Sequence, residues 1–319
     1  MNAETKVILS VLLVLAGLEA AARVAEPMLS ADVRQIIALD GLPDKISGAR
    51  ARGRSCFLVV GNSLAKAAIH RETLEDGLRR KGWPDPEVFY LTPDASGVNE
   101  WTASWRKHFP PEGGVQPDFL ILVTGPGHLL DHPARSPEKL GAYHAAAGDR
   151  AEILWNWLPG IGEKVRFVSA IASRLFANRE RIRPLLFYRW IPGYEETAQR
   201  LNRRDLDEGR SGVAEATGSA VRFRELLGSI KLPSDRVVVV AAPLPDAYRI
   251  PGEVKSAASQ RGIPVIEEVS PPTFPASAFP DGYHLGPDES VAFTARLVRE
   301  AFFDFRREGA SPPLLRPMK

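Results

Sequence analysis

"SCFLVVGNSLAKAAI" (residues 55–69) joins two patterns without a gap. An unbroken apolar run, Phe57 to Val60, stops at Gly61-Asn62-Ser63. A helix-like spacing of Leu64, Ala67 and Ala68 follows at once. A short, continuously apolar run is what a strand buried on both faces looks like, as in parallel sheets covered by helices. The same grammar recurs. "EVFYL" (87–91), "DFLILVT" (118–124), "RVVVVAAP" (236–243) and "IPVIEEV" (263–269) read as strands. "LAKAAIHRETLEDGLRRKG" (64–82) reads as one amphipathic helix ending at Gly82, and "VNEWTASWRKHF" (98–109) as another. "PDESVAFTARLVREAFFDF" (287–305) reads as a last helix with Val291, Ala295, Val298, Phe302 and Phe305 inward. Strands alternating with helices define an α/β fold with a parallel sheet.

Two regions depart from this pattern. Residues 133–232 are rich in Arg, Trp and Leu, as in "AEILWNWLPGIGEKVRFVSAIASRLFANRERIRPLLFYRWIPGY" (151–194), and show no strand alternation. They are expected to form a helical insertion with Gly and Pro at its joints. Its aromatic and basic residues suit either a membrane-interface surface or partner groove, or a cap that packs its tryptophans on the sheet edge. At the N-terminus, "KVILSVLLVLAGLEAAARVAEP" (6–27) is uncharged from Val7 to Leu18 and apolar all round. That run is shorter than the roughly 20 residues of a full span, but apolar character continues past Glu19 and Arg23, which could snorkel. The segment is either an uncleaved signal anchor or a peptide cut near the alanines. The anchor is favoured because no clean polar cleavage region follows.

The expected divisions are therefore a signal anchor or signal peptide (1–25), a solvated linker or collar (26–54), the two parts of the α/β domain (55–132 and 233–306) with the helical insertion (133–232) between them, and a loose tail (307–319). Forty-one Lys and Arg against 39 Asp and Glu leave a net charge of +2, and no basic run with interleaved aromatics points to nucleic acid. The single cysteine, Cys56, excludes an internal disulfide and a CxxC metal site, and reads as a small buried hydrophobe.

Ser63 lies just past the carboxyl end of a strand, where open α/β sheets bind ligands. A serine there is either a helix cap or a nucleophile. A nucleophilic serine needs a base, and the base needs an orienting carboxylate. "FPDGYHLGPDES" (279–290) offers both, Asp281 and His284, in one loop before the last helix. In the nucleophile reading His284 takes the Ser63 proton and Asp281 holds the imidazole. The other reading makes "PDG" a turn and His284 an ordinary loop residue.

Gly61-Asn62-Ser63-Leu64 after the first strand, with Asp281-x-x-His284 before the last helix, resembles the SGNH/GDSL hydrolase superfamily, whose blocks are usually G-D-S and D-x-x-H. The resemblance covers residues 55–130 and 235–305. It implies a flavodoxin-like three-layer α/β/α sheet and acyl-ester chemistry without a cofactor or metal. It also implies two further oxyanion donors. Gly97, in "DASGVNEW", fits the glycine expected after the second strand. An asparagine is expected after the third, where "VTGPGHLLDH" has Gly127. Loss of one oxyanion donor costs ~3 kcal/mol in a transition state. A backbone N–H of Gly127, Asn99 or His128 would have to substitute. Asn62 in place of the usual aspartate is a milder departure. His128, His132 and Asp131 form too thin a set for a metal.

An exported, tethered protein of this kind resembles the enzymes that add or remove O-acetyl groups on bacterial cell-surface polysaccharides. The expected substrate is an acylated carbohydrate. The expected location is the inner or plasma membrane, single-pass, with the catalytic domain on the extracytoplasmic side. A transferase would also need an integral-membrane acyl-relay partner, for which the insertion is a docking face. The alternatives are a non-catalytic binding or assembly factor for an exopolysaccharide machinery, and a cytosolic lipase or thioesterase with its N-terminal helix as a lid.

Overall fold

A computed structural model describes residues 2–110, 112–194, 196–197, 218–267 and 274–301. In chain order the helices are α1 (Ala3–Leu29), α2 (Ala31–Ala38), α3 (Leu42–Ala51), α4 (Ser63–Ala68), α5 (Arg71–Arg80), α6 (Val98–His108), α7 (Ile161–Ala172), α8 (Arg174–Ala177), α9 (Arg179–Trp190), α10 (Val221–Ser229), α11 (Gly252–Gln260) and α12 (Pro287–Ala301). The strands are β1 (Cys56–Val60), β2 (Glu87–Leu91), β3 (Phe119–Thr124), β4 (Val237–Ala241) and β5 (Val265–Ile266). Shorter helical turns, among them Pro137–Lys139 and Leu140–His144, lead into α7. The chain forms two units, each discontinuous in sequence. One takes the residues up to Ala38 and those from Pro133 onward; the other takes Leu39–His132 and the residues after the insertion.

The larger unit is a five-stranded sheet in the order β2-β1-β3-β4-β5, with every pair parallel. This is the flavodoxin-like order, whose topological switch point lies between β1 and β3. Helices cover both faces. Leu58, Val60, Leu120, Leu122, Val237 and Val239 point toward α3, α6, α10 and α11. The alternate residues Phe57, Val59, Ile121, Val123 and Val238 point toward α4, α5 and α12. Period-2 alternation along an all-apolar strand thus feeds two cores. Trp101 and Trp105 of α6 are fully buried on the first face. Cys56 is buried as expected, and burial pushes its thiol up to about 11, so it stays protonated at neutral pH.

Several boundaries differ from the sequence reading. The segment expected as a solvated linker, 26–54, runs largely as helix. Leu42, Ile46 and Ala49 of α3 pack into the sheet core, because apolar spacing within the arginine-rich stretch supplies a buried stripe. The helix expected over 64–82 breaks at Ile69-His70. There the His70 N–H donates to Thr294 Oγ1 (2.9 Å) and its Nδ1 caps the Thr73 N–H of α5 (3.3 Å). The phase of the last helix is also shifted. Ser290, Phe293, Thr294, Leu297 and Val298 face inward, while Val291 and Ala295 are exposed. Phe302, Phe305 and the 307–319 tail lie outside the described residues. The insertion ends earlier than 232, since α10 packs on α6 as part of the sheet unit.

The smaller unit is helical. Its core holds Val33 and Ile36 of α2 with Tyr143, Ala170 and Ala177. Helix α1, with a mean hydropathy of 2.1 over its most apolar window, is long and apolar enough to cross a membrane. Its two ends differ. Val7–Leu18 is almost entirely exposed, whereas Ala22 and Glu26 are buried. Glu19 does not simply snorkel. Its carboxylate accepts from Ser173 Oγ (2.8 Å) and from the N–H groups of Arg174 (2.9 Å) and Leu175 (3.1 Å). Glu26 Oε1 accepts from Tyr143 Oη (2.5 Å) and Asn178 Nδ2 (2.8 Å). Buried carboxylates persist where such donors offset desolvation.

Candidate active site

Ser63 sits at the switch point, two residues past Gly61 and at the first position of α4. Gly61 is required by crowding. A Cβ there would overlap Ala65 Cβ and sit 2.7 Å from the Val123 carbonyl oxygen. Gly61→Ala is expected to destabilise the fold by about 1–3 kcal/mol through overpacking. The measurement is a lower urea midpoint by near-UV circular dichroism, and an unchanged midpoint would show that the β1–α4 turn relaxes freely.

The helix cap is Asn62, not Ser63. Asn62 Oδ1 accepts from the Leu64 N–H (3.0 Å), and its Nδ2 donates to the Ser96 carbonyl (3.1 Å). Ser63 is therefore free of the capping role that would otherwise explain a serine here. Its Oγ lies 2.9 Å from His284 Nε2. His284 Nδ1 lies 2.6 Å from Asp281 Oδ2. The loop that carries both residues is held by the same carboxylate. Asp281 Oδ1 accepts from the N–H groups of Tyr283 (2.9 Å) and His284 (2.7 Å), and Gly282 takes a left-handed φ of 75°. Tyr283 stacks its ring edge-to-face on the imidazole at 5.1 Å between centroids.

Electrostatics follow from this geometry. Partial burial alone would raise the Asp281 carboxyl, but hydrogen bonds from the His284 N–H, the His284 ring and the Tyr283 N–H outweigh it and lower the group to about 2. An ionised carboxylate only accepts, so the proton of a neutral His284 belongs on Nδ1. Nε2 is then the lone-pair nitrogen and faces the Ser63 hydroxyl. This arrangement can take a proton from Ser63 Oγ and stabilise the resulting imidazolium.

The other residues named from sequence have different partners. The Gly97 N–H donates to Glu100 Oε2 (3.0 Å) as the cap of α6. Asn99 is buried, and its Nδ2 donates to the His132 carbonyl (2.7 Å). Gly127 sits in a turn with φ 75°, and its carbonyl accepts from the Leu130 N–H (3.0 Å). The His128 N–H is directed at the Gly125 carbonyl (3.4 Å), while its ring Nδ1 accepts from the Gly125 N–H (3.1 Å). Of the expected donors, the Gly97 N–H is taken by Glu100, whereas Asn99 is engaged through its side chain and its backbone N–H, in the first turn of α6, has no intrahelical acceptor. First-turn N–H groups have no intrahelical acceptor, so the Ser63 amide keeps its donor for a ligand. Asp131 is committed to the start of α10, accepting from Ser219 Oγ (2.6 Å) and the N–H groups of Val221 (3.0 Å) and Arg222 (2.8 Å). It does not join His128 and His132, and among the described residues no group of three metal-ligating side chains forms.

Sequence reasoning gave Ser96 no role. Its carbonyl holds Asn62, and its Oγ accepts from Trp101 Nε1 (2.8 Å), linking the serine turn to the buried α6 core. The only sequence signal was its place in the loop after β2. No family model, curated protein or solved structure matches the chain.

Proposed function

We propose that this protein is a membrane-anchored serine acyl-ester hydrolase or O-acyltransferase of the SGNH/GDSL kind, acting on acetyl groups of a cell-surface polysaccharide. The hydrogen-bonded chain Ser63–His284–Asp281 carries the reading. The flavodoxin-like strand order, with the serine after β1 and the histidine before the last helix, supports it.

Ser63 Oγ attacks the acyl carbonyl as His284 Nε2 takes its proton. The collapsing intermediate expels the alcohol, which leaves with that proton, and the acyl group stays on Ser63. Water or a sugar hydroxyl then attacks the acyl-serine. His284 takes the new proton and returns it to Ser63, releasing acetate or an acetylated sugar. The Ser63 N–H is a donor for the oxyanion. The exposed apolar half of α1 supports tethering; in this reading the sheet domain lies on the extracytoplasmic side, where a transferase would receive acyl groups from an integral-membrane relay partner.

The test uses the full chain in detergent with 4-nitrophenyl acetate and with an acetylated polysaccharide. Release of acetate, with an acetyl adduct mapped to Ser63 by mass spectrometry, is expected. A folded protein that shows neither turnover nor adduct would overturn the proposal. The second reading, a non-catalytic binding or assembly factor, is favoured by one observation: the Gly97 N–H is already engaged by Glu100.

A further inference from the structure

Helix α7 is apolar on two opposite faces. Phe167 and Ala170 are buried within the helical unit. At 100° per residue, Ile161, Val165, Val168 and Ala172 fall on the other side in one narrow stripe. That stripe faces outward: Ile161 is 79%, Val165 55% and Val168 48% exposed. Trp155 extends it, 69% exposed, with Lys164 Nζ 4.9 Å from its ring centroid. Lys164 flanks the stripe. A soluble helix keeps its outward face polar, so this pattern needs an apolar neighbour.

We infer that α7 lies on the lipid surface of the membrane that receives α1, with Trp155 and the Ile161–Ala172 stripe in the headgroup and upper acyl region. The proposal rests on α1 being membrane-inserted. Continuity with α1 selects lipid as the occupant. Helix α7 ends at Ser173, whose Oγ donates to Glu19, and Glu19 is the first charge after the exposed run Val7–Leu18. The end of the stripe is therefore pinned where α1 leaves its apolar stretch. A flanking lysine that snorkels beside an apolar face, with a tryptophan under its ammonium, suits an interface containing anionic lipid.

The test reconstitutes the full chain in vesicles of phosphatidylcholine and phosphatidylglycerol. An environment-sensitive fluorophore is attached at Val165→Cys, at Leu13→Cys in α1, or at Glu253→Cys on the sheet unit; the native Cys56 is buried and does not compete. Shallow brominated lipid is expected to quench the label at 165. Deep brominated lipid should quench that at 13, and neither should quench that at 253. Quenching at 13 without quenching at 165 overturns the inference while leaving the anchor intact. Absence of quenching at 13 overturns the anchor and the inference together. Self-quenching between labels at 165, without lipid quenching, would assign the stripe to a second copy of the chain and also overturn it.

Discussion

Ser63→Ala and His284→Ala are each expected to abolish covalent capture by a fluorophosphonate probe and to lower acyl-ester turnover by about 10⁴-fold or more. The effect is large because the nucleophile and base act as one unit. A serine hydroxyl without Nε2 at 2.9 Å is protonated and inert at neutral pH. The double variant should therefore be little worse than either single one. Folding should survive both changes, since Asn62 and not Ser63 caps α4. Unchanged circular dichroism would separate lost chemistry from lost structure. Probe labelling that persists in Ser63→Ala would assign the reactivity to another nucleophile and remove the central argument for an enzyme.

Asp281→Asn is expected to lower turnover by about 10⁴-fold while leaving the loop nearly in place. The asparagine carbonyl can still accept from the Tyr283 and His284 N–H groups. Its amide, however, can donate to His284 Nδ1. That selects the tautomer with the proton on Nε2, which cannot accept from Ser63. The measurement is steady-state turnover of 4-nitrophenyl acetate beside a hydrogen-exchange map of residues 279–286. Equal turnover in variant and wild type would reduce Asp281 to a turn former. The carboxylate's pH sign is fixed by its lowered value. Its support of the loop is present above the ordinary 3.8 and is lost only as pH falls through about 2. Mild acidification should therefore leave the loop ordered in the wild type.

The sheet was legible because β1, β3 and β4 are apolar on both faces, a pattern that a solvent-facing strand does not show. What escaped depended on polar partners distant in sequence. The break at His70 and the phase of α12 have one cause. Thr294 is buried, accepting from the His70 N–H and donating to the Ala68 carbonyl at 3.2 Å. A hydrophobic count gives that threonine no weight and favours Val291 instead. The α3 segment was obscured by its arginines, whose charged ends reach Asp118 and Glu87 while Ile46 and Ala49 go inward. At the site, Ser63, His284 and Asp281 were legible as residue types in the right chain order. The engagement of Asn99 was not, since its partner, the His132 carbonyl, lies 33 residues away, whereas the Glu100 carboxylate on Gly97 is a local helix cap. Asn62 was visible as the residue before Ser63, but its capping bond was not.

The two units share the chain by turns: helical, sheet, helical, sheet. Cutting it into expressible pieces therefore carries a hidden cost. A truncation that removes α1 for the sake of solubility would spare every residue around Ser63. It would nevertheless strip Glu26 from Tyr143 and Asn178, and Glu19 from the start of α8. Tyr143 Oη would keep only Asn178 Oδ1 and Asn178 Nδ2 only the Arg174 carbonyl, so the buried network would lose its charged acceptor, at a cost of about 1–3 kcal/mol. The stem that looks dispensable is thus a structural member of the middle of the chain. A shortened protein would keep the Ser63–His284–Asp281 arrangement on a sound sheet unit and leave the helical unit weakened.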